Sequence, residues 1–61
     1  MYEYRYRDLI VTLNNGTVLS VRYYTSCYTI YDVIKEIIKD GFIKIEDKYY
    51  PIHNVYSIEE E

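Results

Sequence analysis

One stretch limits the possible folds more than any other: Thr29–Asp40, TIYDVIKEIIKD, followed by Gly41. Ile30, Val33, Ile34, Ile37 and Ile38 recur at helical spacing and form an apolar stripe wide enough to face one core. Tyr31, Asp32, Lys35, Glu36, Lys39 and Asp40 take the opposite side. The spacing predicts a helix over about residues 28–40. Thr29 is its expected N-cap, because the hydroxyl can accept the N–H of Asp32, whose carboxylate also suits the positive end of the helix dipole. Tyr28 and Val33 occupy the hydrophobic-staple positions. Gly41 suits the left-handed residue that ends a helix.

The flanking segments read as strands. YEYRYR at residues 2–7 alternates aromatic and charged side chains with a period of two, and Leu9–Leu13, Val18–Tyr24 and Phe42–Glu46 follow similar patterns. Asn14-Asn15-Gly16 supplies turn chemistry between two of them. A three-residue loop with Gly16 in a left-handed bulge pairs Leu13 with Thr17, Val11 with Leu19 and Leu9 with Val21. That register collects the apolar residues on one face and sets Asp8 opposite Arg22; a slip of one residue loses the segregation. Tyr49–Ile52 is extended, with Pro51 suited to an edge or a strand end. His53-Asn54 is a brief turn, and Val55–Ile58 is a last strand. Glu59-Glu60-Glu61 is expected to be a frayed, solvated tail. The whole chain, residues 1–61, is read as one domain of the α+β class: ββαββ, one antiparallel sheet with a single amphipathic helix packed on one face.

A chain of 61 residues gains little stability from its core alone. One cysteine, Cys27, permits no internal disulfide, and with one histidine, His53, it offers too few soft ligands for structural zinc. No cofactor and no metal are expected. Self-association is an expected source of support, as a homodimer or higher oligomer. The net charge is −3, with Lys and Arg scattered, so duplex DNA and membrane surfaces are disfavoured as partners. No apolar run approaches the ~20 residues of a membrane span. The lone cysteine and the lack of an export signal predict a cytoplasmic protein.

Catalytic constellations are not evident. Cys27 and His53 are far apart in sequence and no third orienting group accompanies them, so a structural cysteine and a turn histidine are expected. The carboxylates belong to turns and surfaces, and no Gly-rich phosphate loop occurs. The chain is therefore expected not to be an enzyme.

The ten tyrosines carry the functional expectation. Uninterrupted alternation puts Tyr2, Tyr4 and Tyr6 on the outer sheet face with Ile10, Val18 and Tyr24, where one helix cannot cover them. A β-bulge near Arg7-Asp8 would turn the N-terminal tyrosines into the core instead. Edged by Arg5, Arg7 and Arg22, such a face has the composition of a binding hot spot. The absence of alanine and the abundance of Ile and Tyr suit an AT-rich genome such as that of a phage or mobile element. These features predict a small interaction protein that binds and masks a host protein. A nucleotide-sequestering oligomer with its pocket between subunits is the alternative, and single-stranded nucleic-acid binding the second.

Overall fold

The computed structural model of the chain describes residues 3–61. In chain order it contains strands β1 (Arg5–Leu13) and β2 (Val18–Thr25), helix α1 (Ile30–Asp40), strands β3 (Phe42–Ile45) and β4 (Lys48–Pro51), a 3-10 turn (Ile52–Asn54) and strand β5 (Val55–Glu60). All pairings are antiparallel.

β1 and β2 are joined by the expected three-residue loop. The Leu13 N–H donates to the Thr17 carbonyl (2.8 Å), the Asn15 side chain accepts from the Thr17 N–H (3.0 Å), and Gly16 takes φ +90°. Leu9 therefore faces Val21, Val11 faces Leu19 and Asp8 faces Arg22. The β1–β2 register runs without a shift from Arg5 to Thr12, so no bulge interrupts the alternation at Arg7-Asp8.

α1 starts and stops where its end signals lie. The Thr29 hydroxyl accepts from the Asp32 N–H (3.1 Å), and Gly41, at φ +85°, donates to the carbonyls of Ile37 and Ile38. The hydrophobic staple is not formed as expected: the Tyr28 ring is exposed and lies against the Arg5 guanidinium (5.3 Å). The core consists of Leu9, Val11, Leu13 and Val21 from the sheet, Val33 and Ile37 from α1, and Ile43 and Ile45 from β3.

Two further expectations are corrected. The strands form two sheets rather than one: a three-stranded sheet in the order β2-β1-β5, and a separate β3-β4 hairpin. Pro51 has no N–H to continue a ladder, and the 3-10 turn after it carries the chain away from β4 to the edge of β1. The acidic end is not frayed. Glu59 pairs with Ile10, Glu60 pairs with Leu9, and the Glu61 N–H donates to the Asp8 carbonyl (3.0 Å). The Arg7 guanidinium holds the Glu60 carboxylate, and this ion pair, with the ladder bonds, offsets the ordering entropy of the terminus.

Candidate binding face

β1 and β2 present opposite faces in alternation. The even-numbered residues of both strands point away from α1, and this outer face carries the exposed aromatics. Tyr6 and Tyr24 are cross-strand partners with ring centroids 4.8 Å apart. Tyr4, just before β1, stacks on Tyr24 at 5.2 Å with ring planes 27° apart. The Arg22 guanidinium lies 5.9 Å from the Tyr6 ring and bonds the Asp8 carboxylate at 3.2 Å. Val18, 62% exposed, and the half-buried Ile10 extend the same face. The three tyrosines are each more than half exposed, at 61%, 64% and 57%, and Tyr24 touches both of the other rings.

Of the residues expected at this face, the structure brings together Tyr4, Tyr6, Tyr24 and Arg22. Tyr2 lies outside the described residues. Arg5 and Arg7 are placed elsewhere, and their assignment to the tyrosine patch is corrected. Both have the parity of Leu9, so they point to the helix side. There Arg5 donates to the Tyr28 carbonyl (3.3 Å), and Arg7 donates to the same carbonyl and to Glu60. They fasten the entry of α1 to β1 and β5.

Cys27 and Tyr23 meet on Glu36 of α1. The Tyr23 hydroxyl donates to one carboxylate oxygen (3.4 Å) and the Cys27 thiol to the other (3.0 Å). Burial, followed by the charges of Glu36 and Asp40, pushes the Tyr23 phenol up to about 12. The Thr25 hydroxyl lowers the Cys27 thiol pKa, but the Glu36 hydrogen bond, burial and nearby carboxylate charge outweigh it, and the thiol is raised. A thiol held protonated in this way is a donor in a packing network rather than a primed nucleophile. The His53 carbonyl accepts from the Asn14 side chain (2.7 Å), which ties the 3-10 turn to the β1–β2 loop. Among the described residues no group of three or more His, Cys, Asp or Glu is placed to hold a metal ion. Among the described residues no helix is long and apolar enough to cross a membrane.

Sequence reasoning missed an apolar groove of about 230 Å³ between α1 and β5, lined by Ile34, Ile38, Ile52, Val55, Tyr56 and Ile58 among others. The signal lay in the width of the helical stripe. Five apolar residues span more of the helix circumference than one sheet contacts, so Ile38 at the margin stays 57% exposed. No protein-family model matches the chain, and no curated protein or solved structure does so either.

Proposed function

We propose that the chain is a small, non-enzymatic interaction protein that binds and masks another protein through the outer face of its three-stranded sheet. The observation that carries this reading is the exposed set Tyr4, Tyr6 and Tyr24, with Tyr4 stacked on Tyr24, Tyr6 tilted against it and Arg22 beside them. Tyr and Arg dominate hot spots because they bury large, rigid surface and retain polar tips for the rim. Rings already packed against one another in the free protein lose less conformational entropy on binding. The acidic balance and the AT-rich composition fit an accessory or inhibitor protein of a phage or mobile element, acting on a host protein in the cytoplasm.

A protein partner is favoured over a nucleotide or single-stranded nucleic acid by the charge on this face. Phosphate recognition calls for unpaired cations beside the stacking rings. Arg22 is already paired with Asp8, and Arg5 and Arg7 are engaged on the opposite side.

The test is affinity capture from source-cell lysate with the wild-type chain and with Tyr4→Ala, a position ahead of β1 whose truncation leaves the ladder intact. Stoichiometric retention of one protein by the wild type and its loss with the variant are expected. Equal retention by both, or none by either, contradicts the reading.

A further inference from the structure

The three-stranded sheet ends at β5, whose outer edge is paired with no strand among the described residues. The bond from the Glu61 N–H to the Asp8 carbonyl sets the phase of the β1–β5 ladder. Hydrogen-bonded and non-bonded pairs alternate in an antiparallel ladder. Asp8–Glu61 is bonded, so Leu9–Glu60 and Val11–Ile58 are non-bonded pairs. The N–H and C=O of Ile58 and Glu60 consequently point away from β1, as a row of free donors and acceptors. Such an edge is a template for another strand unless it is blunted.

The two edges of the sheet differ in what flanks them. Beside β2, hydrogen bonds from Tyr23 and Cys27 to Glu36 make a polar rim, and Arg22 projects from the strand. Beside β5 lies the apolar groove, with Ile38 exposed along it.

We propose that the β5 edge docks a second copy of the chain. β5 pairs antiparallel with its own counterpart about a two-fold axis at Ile58, fusing two three-stranded sheets into one of six strands with both helices on the same side.

Face, hydrogen bonding and charge together select this occupant. Ile58 shares the helix side with Val11, whereas Ser57 and Glu59 lie on the other side with Thr12 and Ile10. Cross-strand partners share a face, so a two-fold that keeps the helices together must centre on one residue. Centring on Glu59 would set two carboxylates directly opposite, which is unfavourable. Centring on Ser57 puts at the axis a residue whose N–H and C=O are turned toward β1. Centring on Ile58 gives two reciprocal main-chain bonds and closes one apolar groove against the other. Glu60 is paired with Arg7 of its own chain, and its side chain stays 38% exposed.

The direction of α1 adds charge complementarity. Arg7 ties Glu60 to Tyr28 at the start of α1, while Ile38 near its end shares the groove with Val55, so α1 runs opposite to β5. The two-fold therefore carries the second copy's Glu60, which shares the helix side with Leu9, toward the later turns of α1, where Lys35 and Lys39 lie, while Glu59 and Glu61 stay on the other side. The proposal is independent of the tyrosine face, which it leaves free on the other side of the enlarged sheet.

Two measurements decide it: solution mass by light scattering over a concentration series, and amide hydrogen exchange by NMR at the same concentrations. The expected mass is twice the 7.5 kDa of one chain. The Ile58 N–H is expected to exchange slowly in the dimer and quickly on dilution, while the Ser57 and Glu59 amides, bonded to β1, stay slow throughout. Ile38→Lys, at an exposed helix position, is expected to hold the monomer mass. A monomer at millimolar concentration overturns the proposal. So does a dimer whose Ile58 amide stays fast, or one that survives Ile38→Lys but is dissolved by Tyr24→Ala. Should Ile38→Lys fail to fold, exchange at Ile58 in the wild-type chain decides alone.

Discussion

Tyr6 and Tyr24 stand directly opposite each other across the β1–β2 ladder, with their rings in contact on the side of the sheet that α1 leaves bare. Cross-strand aromatic pairs stabilise a sheet, but exposed ones by only about 0.5–1 kcal/mol. Tyr24→Ala should therefore cost about that much in a urea melt. Ile37→Ala, which empties a fully buried position, should cost about 3 kcal/mol. Equal losses would mean that the tyrosines serve the fold and not a partner.

Arg7 joins three parts of the molecule that are distant in sequence. From β1 it donates to Glu60 at the end of β5 and to the Tyr28 carbonyl ahead of α1, with only 12% of its side chain exposed. A lysine presents one point charge and cannot reproduce the fork. Arg7→Lys is expected to lower stability by about 2 kcal/mol and to speed amide exchange at Glu61, whose N–H bonds Asp8. Unchanged exchange there would show that the ladder alone holds the terminus.

Burial of the Tyr23 phenol, reinforced by the charge of Glu36, makes stability fall at high pH. Tyr23 keeps its proton in the folded protein to about pH 12, against an ordinary value of 10.0. Between those values the unfolded chain has released the proton and the folded one has not, so raising the pH favours unfolding. The contribution is complete below about pH 10 and is lost by about pH 12. Tyr23→Phe should remove this alkaline loss. Glu36→Gln should reduce it, and should also speed alkylation of Cys27 by lowering the raised thiol pKa. An alkylation rate indifferent to Glu36→Gln would contradict the network.

Much of the fold was legible in the chain because its signals are local or strictly periodic. Thr29 and Gly41 bracket α1 through their own backbone and side-chain chemistry, and the alternation in Leu9–Leu13 and Val18–Tyr24 leaves one favourable register. What could not be read depends on pairings between distant segments. Nothing within Tyr49–Ile58 says that β5 will leave β4 for the edge of β1. The order at Glu59–Glu61 depends on Arg7, more than fifty residues earlier. Arg5 and Arg7 likewise take their places through contacts distant in sequence. The strand period does put them on the helix side, yet charged residues there read as patch-edging until the Tyr28 carbonyl and Glu60 are seen to receive them. The tyrosine face was visible in the period of two, and the α1–β5 groove was not, since the surplus width of an apolar stripe does not show which margin stays uncovered.

Under the proposed function, the outer tyrosine face is the surface that meets a partner. Its most direct measurement is site-specific photo-crosslinking in source cells, with a photoreactive phenylalanine at position 24 and, as comparison, at Tyr31, which is 67% exposed but lies on α1. A single protein adduct is expected from position 24 and none from position 31. Adducts of equal yield from both positions, or from position 31 alone, would contradict it.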